Sequence, residues 1–107
     1  MALQAQSGEP YKLYHVDVPP GKGLGVDIQW RRRDPVGYEI TAIVTAGDPF
    51  ILQWNKRSAV TFPHNVIRVG DIIVRVNEAR TRKEVAEVMK QPALQWILVI
   101  ARLEVFQ

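Results

Sequence analysis

Lys22-Gly23-Leu24-Gly25-Val26-Asp27-Ile28-Gln29-Trp30 opens with glycines and passes into a strand of strictly alternating character. Leu24, Val26, Ile28 and Trp30 fall on one face, and Gly25, Asp27, Gln29 and Arg31 on the other. A period of two marks a half-buried strand. Glycine enters the φ > 0 region at little cost, so consecutive N–H groups at the start of the stretch can turn toward one point. Such a nest of amides can hold an anion, including the terminal carboxylate of a peptide. Lys22 adds positive charge beside it. The same residues also read more plainly as a tight turn leading into a strand.

The surrounding sequence supplies partners for this strand. Residues 11–18, rich in Tyr and Val, read as a first strand that Pro19-Pro20-Gly21 stops. The strand over 24–32 is followed by the turn cluster Asp34-Pro35-Val36-Gly37 and by a strand over 38–45, antiparallel to its predecessor. Asp48 is placed to cap a short helix over 49–56, with Pro49 at its first position, where a missing N–H does no harm. Residues 57–65 read as irregular, and 66–69 as a short strand. A β-branched strand follows over 72–77. Thr81-Arg82-Lys83-Glu84 is a capping-box sequence for a helix over 82–90. Val85, Val88 and Met89 form its core seam, and Arg82, Ala86 and Met89 an adjoining mixed seam. A last strand runs over 95–105.

The 107 residues suffice for one small domain. The expected boundaries are a flexible lead-in over 1–10, one domain over 11–103, and a tail over 104–107. Leu103-Glu104-Val105-Phe106-Gln107 is close to a protease tag-removal sequence, so that tail is either native or a remnant of an appended cleavage site. Hydrophobic residues make up 47% and charged residues 23%, an ordinary soluble balance, and no apolar run approaches the length of a membrane span. The first eight residues lack the features of a secretory signal. The chain has no cysteine, which excludes disulfides and thiolate chemistry and is compatible with a cytoplasmic setting. The net charge is +3, and Arg31-Arg32-Arg33 are consecutive, read either as a solvated strand end or as a contact for an anionic partner.

The order of these elements, with these residues, resembles a PDZ domain. Gly23-Leu24-Gly25-Val26 is similar to the family's Gly-Leu-Gly-Phe carboxylate loop. Val69-Gly70-Asp71-Ile72-Ile73-Val74-Arg75-Val76-Asn77 is similar to its Gly-Asp-x-Ile-Leu-x-Val-Asn stretch, and Glu84-Val85-Ala86-Glu87-Val88-Met89-Lys90 to its second helix. The resemblance covers 11–103. It implies an α+β fold: a small, partly open antiparallel β-barrel or sandwich of five to six strands with two helices. It also implies a protein-interaction module of scaffold type that binds a partner's C-terminal tail by strand addition, between the strand 24–32 and the helix 82–90. On that implication Gly23, Leu24, Gly25 and Val26 form the carboxylate loop. Leu24, Val26, Ile28, Val85 and Met89 line the pocket for a hydrophobic last residue, and Asp27, Gln29, Thr41, Arg82 and Ala86 set specificity. No cofactor, metal or nucleic acid is implied, and a cytoplasmic monomer, brought to the membrane periphery by a partner, is expected.

The chain departs from the family pattern in places. Val26 replaces the usual Phe and Met89 a common Leu, so a roomier, adaptable pocket is expected, accepting Val, Ile or Leu and also larger side chains. Arg82 stands where members that select Ser or Thr have His. A guanidinium there suits Asp, Glu or a phosphorylated residue two before the peptide end, or else simply faces solvent. The 47–69 segment is longer than a compact member needs, with Trp54 and Phe62 expected to pack over the core, the alternative being that one of them is exposed for a partner. Asn77-Glu78 replaces Asn-Gly, which would strain Glu78 at φ > 0.

Other function classes fare less well. Ser7 and Ser58 are the only serines and His15 and His64 the only histidines, with no acidic residue near Ser58 and His64 in sequence to orient a base, so an enzyme is not expected. The alternatives are an anionic-lipid or acidic-surface binder using Arg31, Arg32 and Arg33, and a regulatory peptide-binding module of a larger protease.

Overall fold

The computed structural model describes residues 11–103 other than 22, 48 and 92. The readings of the lead-in, of Lys22, of the Asp48 cap and of the tail lie outside these. Five strands form one antiparallel sheet: β1 (Tyr11–Val18), β2 (Val26–Arg31), β3 (Gly37–Ile43), β4 (Ile72–Val76) and β5 (Trp96–Leu103). Their order across the sheet is β1-β5-β4-β3-β2. Helix α1 (Phe50–Thr61) lies between β3 and β4, and α2 (Arg82–Met89) between β4 and β5. The topology puts β2 at one edge of the sheet with only β3 beside it.

Alternation along the strands builds the core. Tyr14, Val16 and Val18 of β1 are buried, as are Trp96, Leu98 and Ile100 of β5, while Leu13, His15 and Asp17 face out. Ile40, Ile73, Val76, Phe50, Ile51, Ile67 and Val85 complete the same cluster. Gly37 allows β3 to close on β4, because a Cβ there would lie 2.3 Å from the Ile73 carbonyl oxygen. The α2 cap is the expected capping box: the Glu84 amide donates to the Thr81 hydroxyl (3.1 Å), and the Thr81 amide donates to the Glu84 carboxylate (3.3 Å). Backbone donors from Arg80 and Thr81 hold the Glu84 carboxyl below its ordinary value.

The region 47–69 differs from the sequence reading. α1 continues to Thr61 instead of ending near Lys56, so 57–61 is helical and not irregular. Nothing in Arg57-Ser58-Ala59-Val60-Thr61 breaks a helix; the stop is Pro63, which keeps Phe62 out of the helical region (φ −140°, ψ 74°). A single 3-10 turn, Pro63–Asn65, follows. Residues 66–69 do not form a strand, because side chains have taken their backbone groups. The Asn55 amide both donates to the Ile67 carbonyl (2.9 Å) and accepts from the Ile67 N–H (2.7 Å). Trp54 Nε1 donates to the Asn65 carbonyl (2.8 Å). Trp54 is thus packed as expected, but Phe62 is 67% exposed. At the β4 turn Asn77, not Glu78, takes positive φ (54°), which asparagine tolerates better than glutamate. Its side chain ties the turn to β5 by accepting from the Ile97 amide (2.8 Å).

Asp71 joins these parts. Its buried carboxylate accepts from the Tyr14 hydroxyl (2.6 Å), the Arg68 amide (2.9 Å) and two nitrogens of Arg102 (2.7 and 3.0 Å). Arg102 also donates to the His64 and Val66 carbonyls. Burial first, and then the hydrogen bond to Asp71, pushes the Tyr14 hydroxyl well above its ordinary value of 10.0. The native state therefore keeps a proton that the unfolded chain releases above about pH 10, and stability falls as pH rises through that region. Alkaline unfolding followed by circular dichroism should show this decline, and Tyr14→Phe should flatten it. Asp71→Ala should cost about 3 kcal/mol in urea denaturation, because it strands a largely buried guanidinium.

Candidate functional site

The glycine loop is fixed through its carbonyls. The Phe50 amide donates to the Gly23 carbonyl (3.1 Å), the Ile51 amide to Leu24 (3.1 Å) and the Val44 amide to Gly25 (2.9 Å). In a planar trans peptide the N–H points opposite to the C=O. Three inward carbonyls therefore turn the amides of Leu24, Gly25 and Val26 outward together. Among the described residues, none accepts from the Leu24 or Gly25 amide. The first amides of α1, which have no intrahelical partner, are used to hold the loop. The sequence reading did not include Phe50, Ile51 and Val44 in the site. The proximity of Pro49 to Gly25, far apart in sequence, has no local sequence signal.

Gly25 has φ +84°, and a Cβ there would lie 2.3 Å from Pro49 Cβ. Conformation and space both demand glycine at this point.

From the loop onward β2 is an open edge. Val26 pairs opposite Ile43, and the Gly25 carbonyl is the group that bonds β3, so the Val26 backbone faces away from the sheet. Alternation gives Ile28 and Trp30 the same outward backbone. The irregularity between Asp27 and Ile28 is accommodated on β3, where Thr41 is the extra residue; its hydroxyl donates to the Asp27 carbonyl (3.2 Å). Side chains of Val26 and Ile28 are half-buried, whereas Asp27, Gln29 and Thr41 are exposed.

Helix α2 contributes to the same core as the loop and β2. Leu24 and Val85 belong to the buried cluster, and Val26, Ile28, Val88 and Met89 pack against it. The five residues assigned to a pocket by the sequence all belong to the domain's core cluster or pack against it. Ala86 is half-buried and Arg82 exposed on the same helix. The Tyr38 hydroxyl reaches the Arg82 carbonyl (3.5 Å), and Tyr38 packs edge-on against Trp30 (5.0 Å between centroids). This aromatic pair links β3, β2 and the first turn of α2, and was not foreseen from the sequence.

The arginine run does not act as a unit. Arg31 donates through Nε to the Pro35 carbonyl (3.1 Å) and through a terminal nitrogen to the Asp34 carbonyl (3.3 Å), and lies 3.5 Å from Glu39. Arg32 and Arg33 are exposed. Ser58, one of two serines, is buried on the inner face of α1.

A solved structure titled "Complex structure of INAD PDZ45 and NORPA CC-PBM" matches this arrangement with a TM-score of 0.59 at 16% sequence identity. The chain has a PDZ-like fold. The match covers 89% of the chain described here and 44% of the solved one, so the PDZ-like chain spans under half the length of that neighbour. No protein-family model matches the sequence, and no curated protein matches it. The fold is α+β, with five strands and two α-helices among the described residues, in agreement with the sequence reading.

Substituting the loop glycine tests how firmly the PDZ-like loop is held. Gly25→Ala should destabilise the protein by about 2 kcal/mol in chemical denaturation, since it combines left-handed strain with a clash against Pro49.

Proposed function

We propose that this domain is an interaction module that binds the carboxyl-terminal tail of a partner protein, laid as an added strand along β2. The observation that carries the reading is the set of three outward amides at Leu24, Gly25 and Val26, held at the beginning of an unpaired sheet edge. A terminal carboxylate would satisfy those amides with charge-assisted hydrogen bonds. Main-chain pairing with Val26 and Ile28 would follow, and side-chain pockets would then select the tail. The last side chain would enter among Leu24, Val26, Ile28, Val85 and Met89. Their aliphatic character, with one flexible methionine, suits Val, Ile or Leu. The similar solved structure being a complex supports an interaction role. Gly23 would shape the loop without contributing a side chain.

Position-specific choice would come from the exposed residues beside the tail. Arg82 opens α2 next to the path of the third residue from the end and suits a carboxylate or a phosphorylated side chain there. Asp27 and Gln29 project beside the same path, with Thr41 and Ala86 at its margins. Asp27 favours a basic neighbour.

A synthetic peptide of about ten residues ending Lys-Asp-Leu-Val, made as the free acid and as the amide, provides the test. The acid should bind and the amide should be weaker by about 100-fold in calorimetric titration. Equal binding of the two forms would overturn the reading. Arg82→Ala should reduce the preference for Asp over Ser at the third position from the end by about threefold, measured by competition anisotropy.

A further inference from the structure

Beyond Trp30, the β2 edge leads to an open concavity of about 360 Å3 lined by Gln29, Trp30, Arg31, Arg32, Arg33 and Glu39. A tail whose carboxylate sits at Leu24–Val26 has its end at the beginning of β2, so its upstream residues travel toward Arg31. It therefore runs antiparallel to β2. Outward backbone groups recur every second residue, which places the third residue from the end beside Ile28, the fifth beside Trp30 and the seventh beside Arg32. At about 3.4 Å per residue this is a reach of about 20 Å, just past the end of β2.

The charges along that path are not uniform. Glu39 is taken up by Arg31, and Arg31 is held by the Asp34 and Pro35 carbonyls as well. That clamp fixes the backbone from which Arg32 and Arg33 project. Both are exposed, and Asp34 is the only acidic neighbour in sequence. At the other end of the strand, exposed Asp27 opposes acidic residues near the carboxylate.

We infer that Arg32 and Arg33 read acidic side chains at the fifth to seventh residues from the end of the bound tail, so that the partner's tail is acidic upstream and hydrophobic at its end. The inference rests on the groove reading above and adds to it a partner class. It favours a protein tail over a membrane surface because the two cations lie in line with a single-strand edge. Asp27, Asp34 and Glu39 break up the cationic face that a headgroup layer would need.

Two free-acid peptides ending Lys-Asp-Leu-Val, with Glu-Asp-Glu or Ser-Gly-Ser at the fifth to seventh residues from the end, separate the possibilities. The acidic peptide should bind about fivefold tighter at about 50 mM salt, and its advantage should vanish near 500 mM. In the double variant Arg32→Ala/Arg33→Ala the advantage should be lost, while affinity for the Ser-Gly-Ser peptide is unchanged. Equal affinity of the two peptides for the unmodified protein, or an advantage that survives in the double variant, overturns the inference and leaves the groove reading intact. Failure of both peptides to bind, or equal binding of their amides, overturns the groove reading and this one with it. Binding to phosphatidylcholine vesicles containing phosphatidylserine that depends on Arg32 and Arg33, together with indifference between the peptides, would assign the pair to a membrane and also overturn it.

Discussion

Three hydrogen bonds from the amides of Val44, Phe50 and Ile51 to the carbonyls of Gly25, Gly23 and Leu24 set the geometry on which the site depends. Peptide planarity converts those three inward carbonyls into three outward amides, without any side chain taking part. The same bonds seat the start of α1 against the loop and give its first two N–H groups partners. They also fix which backbone groups of β2 face β3, and therefore which face the open edge. A loop free to rotate about its glycines would have no such preference. Gly25 permits the turn, and the packing of Pro49 against it leaves space for nothing larger.

A second anchor lies at the opposite side of the sheet. Asp71 and Arg102 occupy the place where β1, the start of β4 and the end of β5 meet the 3-10 turn. A buried ion pair is a poor source of net stability when compared with apolar packing, but removing one member is costly. Here the pair also satisfies carbonyls that no strand ladder reaches, those of His64 and Val66. Together with Asn55 and Trp54 it gives backbone groups of the irregular segment around Ile67 side-chain partners where no strand ladder runs. Loop and anchor thus use the same economy, with hydrogen bonds from one element replacing the ladder of another.

What the sequence made legible follows from the range of the interactions involved. Alternation in β2, the Thr81–Glu84 capping box and the β-branched run at Ile72 are local patterns, and they reappear at the expected residues. Helix α1 runs past the expected end at Lys56 because the residues that follow are all compatible with a helix and the physical stop is Pro63. The strand expected at 66–69 failed because β-propensity cannot register that Asn55, twelve residues earlier, captures the Ile67 backbone. Phe62 is outside the core for a related reason: once α1 runs to Thr61, its inner face is already filled by Phe50, Ile51, Trp54 and Ser58. The site residues on β2 and α2 could be named from periodicity and resemblance. The carbonyl clamps and the Trp30–Tyr38 pair could not, since each joins elements distant in sequence. Arg31-Arg32-Arg33 is the sharpest case. As sequence it is one cationic run; in the fold its first member is spent on Asp34, Pro35 and Glu39.

An open sheet edge raises a competing problem, because groups that suit a partner's tail also suit any other extended strand. Several features of β2 limit that risk. It is six residues long, and the irregularity opposite Asp27 interrupts a flat ladder. Exposed Asp27 and Gln29 alternate with the half-buried apolar residues, so one surface of the strand stays solvated. The strongest donors sit at one end, where the outward amides of Leu24 and Gly25 precede the strand itself. A chain that continues past this point brings a peptide group with only one carbonyl acceptor, whereas a chain that ends there brings two charged oxygens. The geometry that exposes the edge thus also gathers its strongest donors in the backbone of three residues at one end, which is the physical basis of the proposed preference for chain ends.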